Sequence, residues 1–133
     1  MYERLLIVIV AAILGAIFFI FLRKNQLKKA QRATTELDGL KLKTGMQHIV
    51  YFWSEHCSQC KAAQKPTLER LIQKVEKESI ELIALQIENN NNLANAWGVR
   101  TLPTTYIVNQ QGHVTHINNG LTSEFKLLQQ LTL

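Results

Sequence analysis

The chain has 133 residues, 47% of them hydrophobic, a formal net charge of +5 and two cysteines. That length holds one small domain and an appendage, and two cysteines cannot build the multi-bridge framework of a small secreted scaffold. The excess charge is local: Arg23, Lys24, Lys28, Lys29 and Arg32 fall within ten residues, while the other basic residues are dispersed among acids. A basic stripe interleaved with aromatics, which a nucleic-acid surface would need, is missing.

The first element is Leu5 to Leu22, "LLIVIVAAILGAIFFIFL", eighteen residues without a charged or polar side chain. A bilayer core takes about 20 such residues, and Tyr2 and Arg4 are available as interfacial anchors. A core helix of a small domain would carry a polar face. A cleaved signal peptide would end in a small-x-small site, where this chain reads "FLRKNQLKK". Residues 1–22 are therefore predicted to be an uncleaved, single-pass membrane anchor. Five basic residues follow the span, whereas only Arg4 and the terminal amine precede it, offset by Glu3. The positive-inside rule then leaves the carboxy-terminal part in the cytoplasm, with the basic cluster near anionic lipid; an extracytoplasmic head is the alternative. Residues 23–45 read as a basic stalk, with Leu27, Ala30, Thr34 and Leu37 at loosely helical spacing, loosening near "LDGLKLKTG". No internal repeat appears, and "NNNN", Asn89 to Asn92, suits a polar loop and helix start.

Beyond the stalk the hydrophobic period alternates. "HIVYFW", His48 to Trp53, is a β-branched and aromatic run that predicts a buried strand. Leu68, Leu71, Ile72 and Val75 recur at i, i+3, i+4, i+7, one face of a helix. "IELIALQI", Ile80 to Ile87, predicts a second strand, and Leu93 to Trp97 a short helix closed by Gly98. "TTYIV" and "HVTHI" flank the turn "NQQG", a hairpin. Ser123 can cap a last helix that turns Phe125, Leu128 and Leu131 inward. The order β-α-β-α-β-β-α predicts an α/β fold: a mixed sheet, first two strands parallel and last two antiparallel, with helices on both faces.

Both cysteines stand in "CSQC", where the first strand gives way to the first helix of the head. Two cysteines allow one local disulfide, half of a metal site, or a pair of inert buried thiols. Residues three apart on a helix are neighbours, close enough for a disulfide. Cys57, at the helix start, feels unpaired N–H groups and the positive end of the dipole, which favour a thiolate, and Lys61 adds a cation. Cys60 lies one turn inside. This spacing supplies a nucleophile and a resolver for thiol–disulfide exchange. A zinc site would need His113 and His116, which point to opposite faces of a strand. Inert packing suits a helix start poorly.

From these motifs residues 46–133 resemble the thioredoxin superfamily. "VYFW" followed by "CSQCK" is similar to the family's strand and active-site helix, with Trp53 at its tryptophan. "GVRTLPTTYIV" is similar to the segment that holds a cis-proline, here Pro103, and Gly120 matches a glycine before the final helix. The resemblance implies a thioredoxin-like fold, catalysis by Cys57 and Cys60, and a docking groove. Pro103, the Leu102 backbone and Trp53 would form that groove against an extended substrate segment. It implies no organic cofactor and no bound metal, and a disulfide-containing protein or small thiol as partner, with the upstream redox donor unnamed.

The chain also departs from the family pattern. His56 stands where many members have tryptophan, Ser58-Gln59 is neither the usual reducing nor the usual oxidising dipeptide, and Pro66 comes one residue late. Tyr51 occupies the position of the family's buried aspartate, and Ala84 that of its lysine partner. Proton transfer to the resolving cysteine must then come from water, from Glu55 or from His56. The stretch before Met46 is short for the family's first strand and helix. The expected function is a membrane-tethered thiol–disulfide oxidoreductase; a tethered binding module with little turnover is the alternative.

Overall fold

A computed structural model describes residues 1–36, 40, 42, 43 and 45–131, and of residues 26–36 the backbone alone. The expected loosening of the stalk at 37–39, 41 and 44, and the side chains of Lys28, Lys29 and Arg32, lie outside the described residues. Helix α1 runs from Tyr2 to Glu36, so the apolar run and the first part of the basic stretch form one helix. Its apolar side chains from Leu5 to Leu22 are largely exposed.

The head is built around β1, Gln47–Trp53, a strand buried along almost its whole length. β2, Ile80–Gln86, pairs with it in parallel, and β3, Thr104–Val108, pairs antiparallel on its other side. β4, Val114–Asn119, completes the sheet in the order β2-β1-β3-β4. This is the mixed sheet the sequence predicts. The second hairpin strand begins one residue later than expected, so His113 belongs to the turn, where its N–H and that of Gln111 bond Asn109 Oδ1.

Side chains of β1 alternate between two cores. Ile49 and Tyr51 face α2, Lys65–Lys74, and α4, Glu124–Gln130, where Leu68, Leu71, Val75, Leu127 and Leu131 are buried. Val50 and Phe52 face α3, Asn91–Trp97, and meet Trp97, Tyr106, Val108 and Val114. A strand covered on both faces has no need of polar residues in alternation, which is why "HIVYFW" reads as a continuous run. On the α3 side three rings interlock: Trp97 and Tyr106 stand edge to face at 4.9 Å, with Phe52 at 5.9 and 5.7 Å from them. The Tyr106 hydroxyl donates to the Trp97 carbonyl at 2.9 Å. Gly98, at φ 75°, ends α3 in the left-handed conformation that glycine adopts without a Cβ clash. Leu40 and Leu42, ahead of β1, also pack on this core.

α4 corrects one expectation. Ser123 does cap it, accepting the Lys126 N–H at 3.3 Å, but the inward residues are Leu127 and Leu131, with Leu128 half-buried, and Phe125 is 70% exposed. The helix is short, and its facing is set from outside the apolar pattern. Glu124 pairs with Lys74 and Arg70 of α2, and the Gln130 amide pairs with Asn118. With Leu127 inward, Phe125 lies about 200° around the helix and must face out.

At the start of β1, His48 is buried with Nε2 taking the Lys43 N–H at 3.2 Å and lying 3.3 Å from Glu81. Burial holds its imidazole below the ordinary 6.5, with Glu81 pulling the other way. A histidine whose folded pKa is depressed binds its proton more readily when unfolded, so stability is lost as pH falls below 6.5. The unfolding midpoint of the full chain in detergent should drop between about pH 7 and pH 5, and His48→Phe should flatten that stretch. An equally steep loss in the variant would assign the effect to other groups.

Candidate active site

β1 ends at Trp53, and residues 54–57 turn the chain into a helix that starts at Ser58. Ser54 organises this turn. Its carbonyl accepts the Cys57 N–H at 3.1 Å, its hydroxyl oxygen accepts the His56 N–H at 3.2 Å, and the same hydroxyl donates to the Glu88 carboxylate. That donation is the first cause holding the Glu88 carboxyl below the usual carboxylate range. Glu88 reaches the turn because the parallel register sets Trp53 opposite Gln86.

Cys57 and Cys60 form a disulfide across a Cα–Cα distance of 5.3 Å, inside the range that needs no backbone movement. The two are unequal. Cys57 is half-buried at the helix start, while Cys60 is 0% exposed. The Cys60 N–H points at Cys57 Sγ, 3.2 Å away, so one of the unpaired donors of the first helical turn is aimed at the outer sulfur.

Behind the pair the helix is not α-helical. Cys60–Gln64 form a π-helical turn in which the Lys65 N–H reaches the Cys60 carbonyl, five residues back. A π turn accommodates one residue more than an α turn, which accounts for Pro66 coming one residue late, in the first turn of α2. Two buried side chains hold this turn. The Tyr51 hydroxyl donates to the Cys60 carbonyl at 2.9 Å. The Gln64 amide, 1% exposed, donates to the Thr122 carbonyl at 3.2 Å and accepts the Thr122 N–H at 2.8 Å, pinning the helix to the approach to α4. Between Tyr51, Trp53, Leu68 and the small Ala84 lies an apolar pocket of about 190 Å³.

The other expected residues fall as follows. Trp53 and Leu102 are half-buried and pack, with Cys57, against the same core as α2 and α4. The Leu102–Pro103 peptide is cis, Pro103 is buried, and its carbonyl accepts the Gly120 N–H at 2.8 Å. Glu55 and Lys61 pair with each other at 3.3 Å on the exposed surface, so the Lys61 charge is shared with a carboxylate. His56 is exposed. Among the described residues no three His, Cys, Asp or Glu side chains gather as a metal site. Sequence reasoning passed over Ser54, Gln64 and Glu88. Their partners are 34 and 58 residues away along the chain, so only strand register and helix packing reveal them.

Comparison with known proteins agrees with this architecture. The Thioredoxin family profile matches residues 19–132. Thioredoxin 2 of Plasmodium berghei is 29% identical over 91 residues, which cover 68% of this chain and 56% of that protein. The thiol-disulfide oxidoreductase ResA of Halalkalibacterium halodurans is 24% identical, with 55% of this chain and 53% of that protein covered. The chain thus spans a little over half the length of these curated relatives. Among solved structures, thioredoxin-2 of a malaria parasite superposes with a TM-score of 0.60 at 21% identity, covering 69% of this chain and 85% of that one. StoA from Bacillus subtilis gives 0.55 at 18% identity, covering 66% and 84%. These superpositions show a shared fold, and the profile match adds the kinship: the chain belongs to the thioredoxin family.

Proposed function

We propose that the chain is a membrane-tethered thiol–disulfide oxidoreductase, in which residues 46–133 form the catalytic head, 23–45 a basic stalk and 1–22 the anchor. The observation that carries the reading is the inequality of the cysteine pair: a half-buried Cys57 whose sulfur receives a backbone N–H, joined to a fully buried Cys60. In the reducing direction the Cys57 thiolate attacks one sulfur of a substrate disulfide, forming a mixed disulfide and expelling the other sulfur as a thiolate. Cys60 then gives up its proton and attacks Cys57 Sγ. The Cys57–Cys60 bond forms, the second substrate sulfur leaves as a thiolate, and two electrons have passed to the substrate. Trp53, Leu102 and Pro103 shape the groove for the substrate, whose extended backbone pairs beside Leu102. ResA, named as a thiol-disulfide oxidoreductase, supports the reaction class.

The test is capture of the intermediate. Cys60→Ser should trap a covalent mixed disulfide with a substrate, and Cys57→Ser should trap none. Equal, noncovalent capture of a partner by the wild type and by the double Cys→Ser variant would instead make the head a binding module.

The anchor rests on α1. Tyr2–Asn25 is long and apolar enough to cross a membrane; its most apolar 18-residue window has a mean hydropathy of 3.3, and none of that window is buried. The basic residues after the span favour a cytoplasmic head, since short flanking segments rich in Lys and Arg resist translocation. There the pair would rest mostly as thiols and reduce disulfides near the membrane surface. A reporter fused at Leu133 that is active only after export should stay inactive. Strong activity would place the head outside and make it a participant in extracytoplasmic disulfide handling.

A further inference from the structure

We propose that Tyr51 is a positioning residue for the second half of the exchange: its hydroxyl, by fixing the Cys60 carbonyl, holds the turn that aims Cys60 at the Cys57 sulfur. The inference rests on the oxidoreductase reading and adds to it a residue that acts through another. Tyr51 sits on the central strand, flanked in register by Ala84 and Thr105, and is buried. Its hydroxyl and the Lys65 N–H both converge on one carbonyl, that of Cys60. The N–H of the same residue is spent on Cys57 Sγ. Cys60 is therefore held at both ends of its backbone, its N–H by Cys57 Sγ and its carbonyl by the Tyr51 hydroxyl, the only side-chain donor to that carbonyl among the described residues. A π turn is rare and occurs mostly as a single-turn bulge within an α-helix, and an outside donor on its first carbonyl helps to hold this one in place.

Geometry also separates holding from proton transfer. Burial pushes the Tyr51 phenol up to about 12, so the hydroxyl keeps its proton and remains a donor. The charged groups beside it are Lys65 and Glu69 of α2, both exposed at the rim of the pocket. β2 contributes Leu82 and Ala84, β3 contributes Thr105, and α4 adds Leu127 and Leu131 to the same core. None of these is a buried base. When Cys60 attacks, its proton passes to water, and the electrons follow the course given above.

The experiment uses the reduced full chain in detergent with the aromatic disulfide 5,5′-dithiobis(2-nitrobenzoate). Attack by Cys57 releases one coloured thiolate and attack by Cys60 on the mixed disulfide releases the second, so the two half-reactions appear as successive phases. Tyr51→Phe should leave the first phase unchanged and slow the second about five- to tenfold, the scale of one lost buried hydrogen bond. The pH profile of the second phase should keep its shape and position. A second phase within about twofold of wild type, the lower edge of such a loss, would overturn the proposal. Equal slowing of both phases would overturn it too, by making Tyr51 a general structural residue. So would a lost or displaced inflection, which would make Tyr51 a proton-transfer group. A wild-type protein that lacks the first phase would sink the oxidoreductase reading itself.

Discussion

The apolar stretch at the centre of the sheet is covered on both sides, by α2 and α4 over Ile49 and Tyr51 and by α3 over Val50 and Phe52. Each of these side chains is essentially dry, and full burial of a large apolar side chain is worth about 1.5–3 kcal/mol. A strand so constrained cannot slip by one residue without exchanging its two cores. Where it ends, the cysteine loop must begin. The positions of Ser54, Cys57 and the helix start therefore follow from packing well away from the sulfurs.

The same strand reaches the redox centre from behind. Tyr51 belongs to the α2 core by its ring and to the Cys60 turn by its hydroxyl, so a single side chain ties sheet packing to the geometry of the inner cysteine. Gln64 does the corresponding work from the helix, and Ser54 from the loop. Small Ala84, on the outer strand β2, leaves an apolar pocket where a larger side chain would fill the sheet edge. No further strand among the described residues covers that edge. The described residues form a four-stranded sheet with β2 at one edge.

Much of this was legible in residue order. Strand "HIVYFW", the 68–71–72–75 face, Gly98 and the hairpin each announce themselves through local periodicity or turn chemistry, and all appear close to their expected bounds. Phe125 did not, because a helix of two turns has too few apolar positions to define a face, and Glu124 and Gln130 decide it through partners elsewhere. The cysteine pair was visible from its spacing. The groups that hold it were not: Tyr51 looks like one more apolar residue of a buried strand, and Gln64 like one more polar residue of a helix. Only the folded chain, in which the first carbonyl of the π turn lies within reach of Tyr51, shows what its hydroxyl bonds.

The central claim is that Cys57 and Cys60 act as one two-electron couple. The most direct measurement equilibrates the full chain in detergent with glutathione buffers of graded ratio and weighs the quenched protein. The account predicts two principal species, the dithiol and the intramolecular disulfide two mass units lighter, exchanging reversibly along a two-electron curve. Stable glutathione adducts at both cysteines, or a pair that stays reduced across the whole series, would contradict it.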